Sequence, residues 1–235
     1  MRLNKYLARC GVTSRRKADD LIADGRVAVN GKTVTELGTK VEPDAATVTV
    51  DGEAVELPDK YICYLLHKPQ KSISTVDDPK GRPTVVDLID TERRIYPVGR
   101  LDYDTTGVLL LTDDGELANK LTHPSNEVPR KYEVYYSGKL PEDARGKLAE
   151  GIDIGEDLPA SGELQILWEK EDHGATHLTL HAGRYHEVKR IFKHFGCSIE
   201  RLHRIKFAGL DCGELAPGEY RRLSSDELQQ LKTGE

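Results

Sequence analysis

The sequence predicts an α+β protein of two domains, a small N-terminal one over residues 1–57 and a larger one over 58–235. Three observations predict it. Two stretches of helical apolar spacing near the N-terminus run straight into an Asn-Gly hairpin signal. Pro58 then interrupts a short polar linker. Beyond it, strand-like and helix-like segments mix without a regular βαβ repeat, so the larger sheet is expected to be extended and mostly antiparallel. The 235 residues suffice for a core in each domain.

In chain order, Leu3, Tyr6, Leu7 and Cys10 fall on one face of a first helix. Ala18, Leu21 and Ile22 do so on a second, running from Arg15 to about Ala23 after an N-cap offered by Val12-Thr13-Ser14. Gly25 breaks that helix, and Val27 to Val34 reads as two strands around Asn30-Gly31. Val55 to Tyr61 is the linker, and Tyr61 to Leu66 is a strongly apolar strand. Val108 to Leu111 is another apolar strand, and 130–138, 164–169 and 176–182 have alternating or aromatic strand character. Helices are expected at 84–89, 115–122, 141–150, 184–195 and 224–232, the last announced by Ser224-Ser225-Asp226-Glu227.

The chain is 37% hydrophobic and 31% charged, with no apolar run near the ~20 residues that span a bilayer. A soluble protein without membrane association is expected. The N-terminus lacks an apolar signal region, and Cys10, Cys63, Cys197 and Cys212 show no CxxC spacing, so the expected compartment is the cytoplasm. The net charge of −6 hides a polarity. Residues 1–32 hold eight basic and three acidic side chains, a net +5, whereas the remainder holds 26 basic and 37 acidic, a net −11. Such a basic module on an acidic body points to polyanion binding at one end.

Two segments are chemically loaded. Gly99-Arg100-Leu101-Asp102-Tyr103-Asp104-Thr105-Thr106-Gly107 is a glycine-bracketed polar turn that leads directly into an apolar strand. It places a carboxylate near a cation on rigid scaffolding, as carboxylate catalysis requires. Residues 181–206 hold seven Lys or Arg and four His against two Glu. A helix that starts in cations opposes its own dipole and calls for a phosphate or a carboxylate beside it. His173, His177 and His181 have zinc-ligand spacing only on a helix, and the alternation from Thr176 to His181 reads as a strand instead.

The series helix, helix, Gly25-Arg26-Val27-x-Val29-Asn30-Gly31 resembles the S4 RNA-binding domain. That resemblance implies phosphate contacts from Arg2, Lys5, Arg9, Arg15, Arg16, Lys17 and Arg26, which fix register without reading sequence. Behind it come Leu65-x-x-Lys68-Pro69, Gly99-Arg100-Leu101-Asp102, Lys131-Tyr132 and Gly183-Arg184-x-x-x-x-Lys189. In that order they resemble the RsuA-type ribosomal RNA pseudouridine synthases over almost the whole chain. The implied reaction isomerises one uridine of ribosomal RNA with no cofactor and no metal. Asp102 is then the catalytic carboxylate, Tyr132 lies on the uracil face, and Lys189 pairs with the aspartate. Arg100 helps fill the gap left by the flipped base, and Arg184 joins the RNA contacts. Asp104 belongs to the turn on this reading, although its two-residue offset leaves it open as the reactive carboxylate.

One departure stands out. Where the family usually has Asn-Lys-Pro-x-Gly, this chain has His67-Lys68-Pro69-Gln70-Lys71. Gly183-Arg184-Tyr185-His186 resembles the branch acting on small-subunit RNA, which implies 16S rRNA, free or in a partly assembled small subunit. The same family also offers 23S rRNA, and a monomer is the default expectation. Two other classes compete: a non-catalytic S4-type ribosome-binding protein, and a carboxylate hydrolase with Asp104, Asp113 or Asp114 as general acid.

Overall fold

In the computed structural model, which describes residues 1–155 and 158–234, helices α1 (Leu3–Arg9) and α2 (Arg15–Ala23) form where apolar spacing places them. The Ser14 hydroxyl caps α2 by accepting from Lys17 N at 3.2 Å. Strands β1 (Val27–Val29), β2 (Lys32–Thr33), β3 (Val48–Val50) and β4 (Glu53–Val55) make an antiparallel sheet in the order β2-β1-β3-β4. Asn30 and Gly31 both take positive φ, at 51° and 76°, as a two-residue hairpin turn of the favoured hand requires. Leu3, Tyr6, Leu7, Ala18, Ile22 and Val27 are buried together between helices and sheet.

This first compact unit comprises Met1–Ile62 with Thr91–Arg94 and Asp113–Gly115. Asp113 belongs to it through a hydrogen bond from Ile62 N at 2.8 Å and an ion pair with Arg93.

The second unit, Cys63–Asp90, Ile95–Thr112 and Glu116–Glu235, is built on one sheet of eight strands. Its strands are β5 (Cys63–Lys68), β6 (Tyr96–Pro97), β7 (Thr106–Thr112), β8 (Arg130–Ser137), β9 (Gly162–Glu169), β10 (His173–Leu180), β11 (Ser198–Phe207) and β12 (Tyr220–Arg222). The order is β12-β5-β7-β11-β8-β10-β9, with β6 added on β7. All pairings are antiparallel except β7 with β11, which run parallel at the centre. Helices α3 (Gly115–Thr122), α4 (Ala144–Glu150), α5 (Glu187–His194) and α6 (Ser225–Thr233) complete the elements that position the site. Ser224 and Glu227 form a reciprocal capping box at the start of α6. Cys63, Leu65, Val98, Val108, Leu110, Leu117 and Phe207 are buried in one core.

The structure corrects the sequence reading in three places. No helix forms at 84–89. The Asp87 carboxylate instead accepts from Thr84 N and its hydroxyl at 2.8 and 2.9 Å, and Val85 N bonds Ile73 O, so the chain turns once and stays tied to a neighbouring segment. The helix expected from 184 starts at Glu187, because His186 adopts a left-handed conformation and ends the turn before it. The longest strand, β11, was not foreseen. Two register shifts, at Ile199/Arg201 and Arg204/Lys206, break the two-residue alternation by which strands are recognised.

Candidate active site

The loop 99–105 is fixed from below by a buried cation. Lys68, the last residue of β5, is fully buried and donates to the carbonyls of Pro69, Asp102 and Thr105 at 3.0, 3.0 and 2.9 Å. Burial pushes its pKa down to about 8, against the raising effect of Asp104 and Asp102. Ser74 adds a second clamp, donating to Leu101 O at 2.8 Å and accepting from Leu101 N. Lys71, where the resembled motif has glycine, sits at φ +64° and donates its N–H to Tyr103 O at 2.8 Å. The lysine thus accepts a conformation that glycine adopts more cheaply, by about 1 kcal/mol.

From the other side, α5 delivers the cation. Lys189 Nζ lies 3.1 Å from Asp102 Oδ2 and 2.8 Å from Asp104 Oδ1, so it bridges both carboxylates. Burial works against the Lys189 charge, but the two carboxylates outweigh it and hold its pKa above the ordinary lysine value. For Asp104, burial favours the neutral acid, yet the bonds from Lys189 prevail and hold its carboxyl below the usual range. An ionised, cation-bound Asp104 is a poor general acid, which weighs against the hydrolase reading. His186 Nε2 stands 3.4 Å from Asp102 Oδ1, a neighbour that sequence alone did not single out. The cation-dense helix start is therefore compensated by Asp102, Asp104 and the buried Glu187 in its first turn.

Asp102, His186 and Lys189 face one open cleft. Asp102, Tyr132, Lys189, Arg100 and Arg184 all line it, so five of the residues singled out in sequence converge. Tyr132 is nearly buried, Arg100 is exposed, and the Arg184 guanidinium bonds the carbonyls of Leu158 and Pro159. Two buried arginines join them without having been foreseen, Arg130 on β8 and Arg204 on β11. Desolvation pushes both guanidinium pKa values down. Charged residues inside strands read as solvent-facing, so no sequence signal marked them.

The seven basic residues expected to contact phosphate belong to the first unit. Arg2, Arg15, Arg16 and Lys17 are exposed. Lys5 and Arg9 are half-buried, Arg9 donating to the Tyr61 hydroxyl at 2.7 Å, while Arg26 pairs with Asp51. His173, His177 and His181 are strung along and past β10, His181 Nδ1 lying 2.9 Å from Glu127 O. Among the described residues no cluster of His, Cys, Asp or Glu could hold a metal ion, and no helix is long and apolar enough to cross a membrane.

Comparison with known proteins bears on the same residues. The RNA pseudouridylate synthase model matches 62–194, and the S4 domain model matches 1–46. The chain is 43% identical to "Ribosomal large subunit pseudouridine synthase B" of Bacillus subtilis, over 98% of this chain and 95% of that protein. It is 40% identical to an "Uncharacterized RNA pseudouridine synthase" of Aquifex aeolicus, over 98% and 93%. A solved structure described as "Crystal structure of pseudouridylate synthase" superposes with a TM-score of 0.71 at 31% identity, covering 98% of this chain and 99% of that one. The similarity thus runs along almost the whole length of these relatives, and the chain belongs to the RNA pseudouridine synthase family.

Proposed function

We propose that the protein isomerises a uridine of ribosomal RNA to pseudouridine, with Asp102 as the group that acts at C1′. The observation that carries this reading is the Asp102 carboxylate, held at the cleft by a clamped loop and an ion pair with Lys189. Tyr132 supplies the flat face on which a flipped base rests while it detaches and turns. Asp102 either attacks C1′ or assists elimination to a glycal, and Lys189 pairs with the carboxylate in both. Arg100 and Arg184 meet the RNA at the edge of the cleft, and the basic residues of the first unit hold its backbone.

Two observations bear on the RNA. The stretch Gly183-Arg184-Tyr185-His186 resembles the small-subunit branch, whereas a relative that is 43% identical over almost the whole of both chains is named for the large subunit. Full-length identity outweighs four residues, so large-subunit rRNA is the proposed substrate.

The test is tritium release from C5-labelled uridine in unmodified 23S and 16S transcripts, with the wild type and Asp102→Asn. Release from 23S is expected, with the variant slower by roughly ten-thousand-fold. Release from 16S alone would move the substrate to the small subunit. Silence on both RNAs, with binding retained, would favour the non-catalytic S4 reading.

A further inference from the structure

Arg204 is the group in the cleft that this mechanism leaves unused. Its side chain is 2% exposed, and it lines the cleft beside Tyr132, its register partner across β8 and β11. Nε donates to Val108 O at 2.8 Å, and the guanidinium carbon lies 4.6 Å from the centre of the Phe207 ring. Nη2 is buried with no hydrogen-bond acceptor among the described residues, and no ion pair involving Arg204 occurs among them either. The Tyr132 hydroxyl favours the guanidinium charge without forming an aligned bond to that nitrogen.

Arg130 differs in this respect, since its fork is spent on the carbonyls of Val128, His181 and Leu121. Thr105 Oγ1, also buried and unpartnered, lines the same cleft. The floor therefore offers an unused N–H donor and an unused hydroxyl, groups suited to the alternating carbonyls and N3–H of a uracil edge. A buried guanidinium with an unpaired N–H is costly, and a ligand that brings the missing acceptor would complete it.

Resting on the pseudouridine synthase reading above, we infer that Arg204 Nη2 bonds a carbonyl oxygen of the flipped uracil and stabilises the base as it leaves C1′ as an anion. When N1–C1′ breaks, its electron pair goes with the base and spreads over N1, O2 and O4. C1′ is filled by the Asp102 carboxylate, or by the electron pair of the C2′–H bond as that proton passes to Asp102. C5 of the turned base then bonds C1′, either as the ester bond to Asp102 breaks and its electron pair returns to the carboxylate, or as Asp102 gives its proton back to C2′. C5 loses its proton to solvent and N1 gains one, so the sum is an isomerisation. A donor aimed at O2 or O4 acts most strongly where the charge develops. Arg204 meets the base rather than a phosphate because it lies on the buried floor, whereas a flipped base enters a pocket and leaves its backbone outside.

The experiment compares single-turnover rates of the wild type, Arg204→Gln and Arg204→Lys on 23S and 16S transcripts made with uridine or 5-fluorouridine, read by nucleoside chromatography. Fluorine stabilises the departing anion, so it substitutes for the lost cation. Arg204→Gln is expected to lose roughly a hundred- to a thousandfold with uridine, at unchanged RNA affinity, and at least tenfold less with 5-fluorouridine. Arg204→Lys should recover part of the rate. Equal losses on both RNAs would overturn the inference in favour of a scaffold role, and a loss carried by affinity with a flatter salt dependence would make the contact a phosphate.

Because Arg204 is buried, a measurement with the arginine intact guards against misfolded variants. In Asp102→Asn bound to 5-fluorouridine RNA, fluorine NMR should show N3 of the bound base titrating at lower pH than in free RNA, and an unshifted or raised value would overturn the inference. A wild type inactive on every transcript would sink the rRNA reading, an outcome separate from a failure confined to Arg204.

Discussion

Lys68 spends its three ammonium protons on carbonyls of the loop that carries Asp102. Burial lowers its pKa to about 8, so between pH 8 and the ordinary value of about 10.4 the unfolded chain holds the proton more tightly than the native one. Stability from this group therefore rises with pH through that window. Activity should move the other way, because the neutral amine has one donor fewer for the loop. Single-turnover rates and thermal melts from pH 7 to 10 should show a rate that falls above about 8 with no matching drop in Tm. A flat rate would mean that the loop keeps its shape without that proton. Asp102, Tyr132 and Lys189 were legible in sequence because each stands in a short pattern of distinctive neighbours. Lys68 also stood in such a pattern, but its part as the clamp of the loop did not show, and Arg130 and Arg204 were not foreseen, since their value lies in burial, and burial of a charge is decided by the strands around it.

The elements divide along the same line. Strands β5, β7 and β8 and helices α2, α3 and α6 carry clean periodicity or caps, and the sequence places them to within a few residues. Strand β11 carries neither, although it is central to the sheet. It pairs with β7 at Gly107, whose φ is +112° and where an added Cβ would stand 2.2 Å from Arg204 O. Gly107→Ala is thus expected to cost roughly 3–5 kcal/mol, from backbone strain together with a clash that only strand separation relieves. Gly209, at φ +82° with open space around it, serves as the control, its alanine variant costing about 1 kcal/mol. Urea unfolding of both variants checks this, and equal losses would mean that the two strands part readily at Gly107.

The uneven charge distribution of the whole chain has a measurable consequence. Arg15, Arg16 and Lys17 are exposed at the start of α2. If all three neutralise phosphates, replacing them with Gln should reduce the slope of log affinity against log salt by roughly 2 to 3. Filter binding from 50 to 300 mM salt measures it, and an unchanged slope would assign the footprint elsewhere. The segments Thr91–Arg94 and Asp113–Gly115, which join the first compact unit, return from far along the chain and leave no local mark in the sequence.

The parallel seam between β7 and β11 also sets a timetable for synthesis. The bond from Arg204 to Val108 spans 96 positions in sequence, so a nascent chain carries Asp102 long before the strand that walls its cleft has left the ribosome. Closing so distant a pairing is the slow kind of folding step. Catalytic competence therefore waits for β11 to emerge, and chains truncated anywhere before it should be born inert.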